Sequence, residues 1–208
     1  MDDTYLTVAQ ESKIEIKVKG SRFIGEVFTA ESVDTALEKL EQVRKREYSA
    51  THHCYAYVVG RGRVEAFKFS DDGEPGGTAG RPIYDVVTGT GVTNVLCVVT
   101  RYFGGTKLGT GGLVRAYSEA ARKALDAAGT KKNYLKARYR LVVDFSLYDR
   151  WQNALRKIGA EVIDSDFTDT VAMVVDIRMS RAQQLVDSFT EITSGKGQVE
   201  EISTDQPD

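Results

Sequence analysis

Arg101-Tyr-Phe-Gly-Gly-Thr-Lys-Leu-Gly-Thr-Gly-Gly112 separates two regular patterns. Before it, Val95 to Thr100 is an apolar run of β-type residues, the pattern of a strand. After it, Leu113 to Ala128 carries apolar residues at helical spacing and stops at Gly129, a C-cap residue. Strand, glycine loop and helix in that order present backbone N–H groups and the positive end of a helix to an anion. Arg101, Lys107 and Arg115 supply positive charge, and Gly104, Gly105, Gly109, Gly111 and Gly112 supply backbone freedom and close approach. These eight residues are the predicted phosphate- or anion-binding set. Two nucleotide signatures fail on the stretch. The P-loop needs Lys-Ser/Thr after its second glycine, where Thr110-Gly111 stands, and the dinucleotide fingerprint needs a glycine where Val114 stands.

Outward from this centre the elements read as a mixed chain. Upstream, Lys13 to Val18 alternates strictly and predicts a strand, Arg22 to Thr29 a second, and Ser32 to Arg46 a helix with Ser32 as its N-cap. His53 to Val59 and Val64 to Phe69 predict a hairpin around Gly60-Arg61-Gly62-Arg63. Ser70 to Gly80 is too rich in Gly, Asp and Pro for regular structure, and a short helix is expected over Pro82 to Thr88. Asn94 to Phe103 is the strand that enters the glycine loop. Downstream, Thr130 to Tyr134 reads as a basic linker. Then Arg138 to Leu147, Tyr148 to Ile158, Glu161 to Phe167, Val171 to Met179, Arg181 to Phe189 and Gln198 to Ile202 run β-α-β-β-α-β, a ferredoxin-like pattern. The fold class is therefore α+β, with domains over 1–132 and 133–208 and a disordered acidic tail from Asp205 to Asp208.

Charge narrows the partners. The chain of 208 residues has formal charge −2, which excludes a general polyanion binder, but residues 112–140 sum to +6 and residues 161–208 to −8. Lys131, Lys132, Lys136, Arg138 and Arg140 occur with Tyr134 and Tyr139 between them, a pattern suited to RNA phosphates and bases. The two cysteines, Cys54 and Cys97, sit in apolar runs without metal-ligand spacing, as buried thiols in a reducing compartment do. Nothing resembles a leader or a membrane span, so a cytoplasmic protein with no membrane partner is expected. Asp71, Asp72 and Glu74 read as a solvated turn rather than a metal loop, and His52, His53 and Cys54 lack the further ligands that zinc needs. No metal, cofactor or catalytic residue is assigned.

Several motifs in order resemble the IMPACT/YigZ family: Ser21-Arg22-Phe23-Ile24, His52-His53-Cys54-Tyr55-Ala56-Tyr57, Asp71-Asp72-Gly73-Glu74-Pro75, Gly76-Gly77-Thr78-Ala79-Gly80 and Arg101 to Gly109. The resemblance implies an N-terminal domain similar to the βαβ fold of ribosomal-protein and elongation-factor domains, and a C-terminal domain similar to elongation factor G domain V. Eukaryotic relatives regulate translation and carry an additional N-terminal RWD domain for their partner; the residues before Ser12 are too few for one, so that partner is not expected to carry over. The resemblance, the loop and the basic segment together predict a non-enzymatic RNA- or ribosome-associated factor. Two alternatives stand beside it. One is a nucleotide-dependent enzyme resembling small-molecule kinases, with Asp71 or Asp72 on magnesium. The other is a protein-interaction module using the acidic C-terminal segment. Oligomeric state is left open.

Overall fold

In the computed structural model the described residues are 3–61 and 64–203. They divide into two units: Tyr5–Asn133, and residues 134–203 together with Asp3 and Thr4. Gly62 and Arg63 of the predicted hairpin loop, and the predicted tail Asp205–Asp208, lie outside the described residues. Among the described residues no helix is long and apolar enough to cross a membrane.

The larger unit, but for the end residues Thr4 and Tyr134, holds β1 (Thr4–Val8), β2 (Ser12–Val18), β3 (Ser21–Thr29), α1 (Val33–Arg46), β4 (His52–Val59), β5 (Ala66–Ser70), α2 (Gly80–Gly89), β6 (Val95–Tyr102), α3 (Thr110–Ala128) and β7 (Thr130–Tyr134). Its five-stranded antiparallel sheet has the order β2-β3-β6-β4-β5. Helices cover both faces, which is why β4 and β6 read as continuous apolar runs. On one face Ala36, Leu40 and Val43 of α1 meet Tyr55, Tyr57, Leu96 and Val98. Ser32 Oγ accepts from Thr35 N and starts that helix, while Arg44, Lys45 and Arg46 complement its C-terminal dipole. On the other face Ala116, Ala120, Ala121 and Ala124 of α3 pack with Phe23, Cys54, Cys97 and Val99. Small side chains allow a close approach; a Cβ on Gly25 would stand 2.6 Å from Ala120 O.

Thr130 to Tyr134 is not a loose linker. It is β7, which pairs with β1, a strand absent from the sequence reading. Asn133 Nδ2 donates to Thr7 Oγ1 at 2.9 Å within this ribbon. A mostly exposed two-stranded ribbon needs no apolar alternation, so it leaves no period to read.

The smaller unit continues with β8 (Lys136–Val143), a 3-10 turn (Phe145–Leu147), α4 (Tyr148–Ile158), β9 (Glu161–Phe167), β10 (Val171–Arg178), α5 (Ala182–Thr193) and β11 (Gln198–Ile202). The sheet order β11-β8-β10-β9 places β10 antiparallel between the two strands joined by α4. This is the split βαβ arrangement that the element order predicts. Trp151, Leu155, Leu185 and Phe189 fill the core against Leu141, Met173, Val175 and Ile177. The first strand stops four residues short of its expected end. The Asp144 carboxylate accepts from Ser146 N and Oγ and turns the chain into the 3-10 turn. Asp3 joins this unit: its carboxylate accepts from Arg178 and Ser180 N, and those bonds hold the carboxyl far below the usual range.

Candidate functional site

The glycine loop leaves the end of β6, the central strand of the larger unit's sheet. In register, Arg101 lies between Phe23 on β3 and His52 on β4. Val99 and Cys54 occupy the next row on the same face. Arg101 is 5% exposed and donates to Glu74 Oε1 at 2.5 Å. Tyr117, fully buried on α3, donates its hydroxyl to the same oxygen at 2.8 Å. A second Arg101 amino group reaches Ser21 Oγ at 3.4 Å, and the guanidinium lies 5.4 Å from the Phe23 ring and 5.5 Å from that of Phe103. Arg101 Nε is buried without a hydrogen-bond partner among the described residues.

Glu74 comes from the acidic loop between β5 and α2, where the predicted turn is present with Asp71 ordering its backbone but is only partly solvated, because Glu74 is buried. Asp71 accepts from the N–H groups of Gly77, Ala79 and Gly80. Burial raises its carboxyl, but those three donors outweigh it and hold the group below its ordinary value. Asp72 Oδ2 accepts from His53 N at 2.6 Å, and its carbonyl receives His52 Nδ1 at 2.8 Å. A carbonyl only accepts, so Nδ1 carries the proton, and His52 Nε2 sits 3.9 Å from Glu74 Oε1. His52 and Cys54 share one face and His53 takes the other, where its Nε2 meets Glu47 O. Cys54 donates to Asp71 O at 3.0 Å. Burial drives its thiol far up and pushes that of Cys97 to about 12, so neither presents a thiolate nucleophile. Burial and the neighbouring Cys54 and Glu74 also raise the Tyr117 hydroxyl strongly.

These contacts correct the role of Arg101. Its charge faces Glu74 inside the protein, whereas Lys107 and Arg115 are exposed. The loop itself has two halves. Gly104 is a packing residue: a Cβ there would lie 1.9 Å from the carbonyl carbon of Gly20. Gly105 opens onto free space at φ 84°. Gly109 is the N-cap of α3 at φ 71° and offers no side-chain acceptor, so the helix begins at Thr110 and takes Gly111 and Gly112 into its first turn. Of the predicted set, Lys107, Arg115 and the start of the helix are the exposed part. The missed residues are Ser21, Glu74 and Tyr117. One signal for them was present: an arginine inside a buried apolar run demands a buried counter-charge, and the Asp71–Glu74 cluster is the nearest acidic stretch.

The basic segment divides as well. Lys136 pairs with Glu161 at 2.8 Å, and Arg138 with Asp176 at 2.7 Å. Tyr139 is 7% exposed, so its ring is not free to stack on a base, and Tyr134 has the Arg178 guanidinium over one face of its ring at 3.6 Å. Lys131, Lys132 and Arg140 are exposed and form no ion pair among the described residues. Among those residues no three His, Cys, Asp or Glu side chains converge as a metal site requires. Asp71 spends its oxygens on backbone N–H groups, which weakens the magnesium role drawn for it.

The family model of the Impact N-terminal domain matches residues 19–125, and a domain of unknown function (DUF1949) matches residues 141–196. The chain is 32% identical over 198 residues to the IMPACT family member YvyE of Bacillus subtilis, covering 95% of this chain and 91% of that protein. It is 31% identical to the IMPACT family member YigZ of Escherichia coli, covering 95% and 97%. A crystal structure of a hypothetical protein matches with a TM-score of 0.73 at 30% identity, over 99% of this chain and 100% of that one.

Proposed function

The chain belongs to the IMPACT family, and from that premise we propose that it is a non-enzymatic factor that associates with RNA or the ribosome and acts around translation. One observation carries the binding mode: Lys107 and Arg115 flank the uncapped start of a nineteen-residue helix, exposed and without an ion pair among the described residues. A phosphate there receives N–H groups from the first helical turn and charge-assisted bonds from the two side chains. Arg101 acts behind the site, holding the loop to Glu74 rather than meeting the ligand. Lys131, Lys132 and Arg140 add exposed charge elsewhere. Such contacts position a nucleic acid without reading its sequence. The resemblance of the two domains to ribosomal-protein and elongation-factor domains belongs to the same reading.

The nucleotide-dependent alternative loses ground on the acidic loop. Asp71 caps three N–H groups and Asp72 is engaged with His53 N and Arg44, which leaves neither poised for magnesium.

Co-sedimentation with purified ribosomes tests the proposal. Binding falls steeply between about 50 mM and about 200 mM salt, and charge reversal of Lys107 and Arg115 lowers the salt slope by about 2. Absence of binding to ribosomes and to structured RNA at low salt overturns it. A thermal shift with a nucleotide and Mg²⁺ would favour the enzyme instead.

A further inference from the structure

Among the described residues strand β9 is an edge of the smaller unit's sheet, paired with β10 on one side only. Its outer backbone groups therefore offer a template for another strand. Its side chains are sorted by register. Phe167, Ser165 and Val162 stand opposite Val171, Met173 and Val175, which are buried beneath the helices. Asp166, Asp164 and Glu161 stand opposite Ala172, Val174 and Asp176 on the other face. A bulge at Ile163 limits the regular stretch to its C-terminal half.

Two features set this edge apart. Val162, Ile163 and Phe167 are 42%, 42% and 49% exposed, and Phe167 forms an aromatic cluster with Tyr148 and the half-exposed Phe145. Residues 159–177 also hold five acids and no Lys or Arg. Glu161 and Asp176 are paired with Lys136 and Arg138, but Asp164, Asp166 and Asp169 form no ion pair among the described residues. The opposite edge, β11, keeps Val199 and Ile202 partly buried.

We propose that β9 accepts an extended segment of a partner protein as a fifth strand, with Lys or Arg alternating with aliphatic or aromatic residues in that segment. Period-two alternation puts every second side chain on one face. The cations then meet Asp164 and Asp166, while the apolar residues meet Val162 and Phe167. Backbone pairing supplies affinity, and the two faces supply register. Charge selects this occupant over two others. A second copy of the chain, paired about the middle of β9, brings carboxylates beside carboxylates. A nucleic acid meets the same repulsion. Of the residues in the phosphate-binding reading only Arg140 shares this face, two strands away in the row of Asp164; Lys107 and Arg115 lie on the other unit, so the two proposals stand or fall separately.

The test uses the full chain and fluorescein-labelled octapeptides, read by anisotropy in about 0.1 M salt. One peptide alternates lysine and valine, a second has the same composition in blocks, and a third is the alternating peptide with every second backbone amide methylated. The alternating peptide binds about tenfold more tightly than either control, and the double change Asp164→Lys, Asp166→Lys removes about tenfold of that affinity. Any of four peptide-binding results overturns the proposal: no binding of the alternating peptide, equal binding of the block peptide, equal binding of the methylated peptide, or an unchanged affinity in the double variant. A concentration-dependent dimer abolished by the same variant assigns the edge to a second copy and overturns it too.

Discussion

Glu74 in the larger unit and Asp164 in the smaller one are the same functional group in opposite circumstances. Glu74 is 8% exposed and its Oε1 accepts from a guanidinium and a phenol. Asp164 lies exposed on an edge strand without an ion pair among the described residues. A buried charge is tolerated only when paired and hydrogen-bonded, so charges near Glu74 are committed to holding the fold. An exposed, unpaired charge costs the fold little and keeps its capacity for a partner. The division runs through the signature loop as well: Arg101 belongs to the committed class and Lys107 to the available one.

The largest effect comes from breaking the committed pair. Arg101→Leu leaves Glu74 buried without its cation and destabilises the larger unit by about 3–5 kcal/mol. The single tryptophan, Trp151, lies in the core of the smaller unit and separates the two responses. The far-UV melting transition falls by many degrees, while the transition seen by Trp151 fluorescence stays near its original temperature. Adding Glu74→Leu recovers part of the loss, because the uncompensated carboxylate goes with it. If Arg101→Leu melts like the parent, Glu74 and Arg101 are not a buried pair and the contrast with Asp164 collapses.

Glu47 is the intermediate case. It accepts from Lys13 Nζ and the Tyr102 hydroxyl, both at 2.9 Å, and from Arg46 at 3.3 Å. Burial pushes its carboxyl up, but the donors prevail and bring it down to about 2. A carboxyl depressed by folding contributes stability above its unfolded value, and that contribution is lost as pH falls toward the folded value. With exposed partners the contribution is about 1 kcal/mol at neutral pH. Glu47→Gln therefore melts earlier than the parent at pH 7, and the gap narrows between about pH 5 and about pH 3. A gap independent of pH would make Glu47 a packing residue.

The sequence carried most of the elements because their apolar periods are strong. The β8-α4-β9-β10-α5-β11 order and the Ser32 cap followed from alternation, helical spacing and a known capping chemistry. The β1–β7 ribbon escaped because Thr130 to Tyr134 is polar and exposed, with no period to betray it. The site was half legible. Glycines and cations near residue 101 marked the loop and its helix start, but spacing cannot tell a buried arginine from a free one. That distinction depends on Glu74, twenty-seven positions away in the chain and adjacent only after β4 and β6 pair. Tyr139 shows the same limit: its place in a basic segment suggested stacking on bases, whereas strand alternation turns it into the core.

The smallest effect sharpens the comparison most. Asp164→Lys with Asp166→Lys should leave the thermal unfolding of both units within about 0.5 kcal/mol of the parent, because exposed side chains away from any network rarely matter more. A modest gain is consistent too, since these positions lie among acids that repel them. Circular dichroism and Trp151 fluorescence melts measure this directly. A loss comparable to Arg101→Leu would mean that the edge carboxylates support the fold, and the edge would then have no charge to spare for a partner. Stability unchanged alongside weakened peptide binding is the combination that separates an available charge from a committed one, and Glu74 cannot produce it.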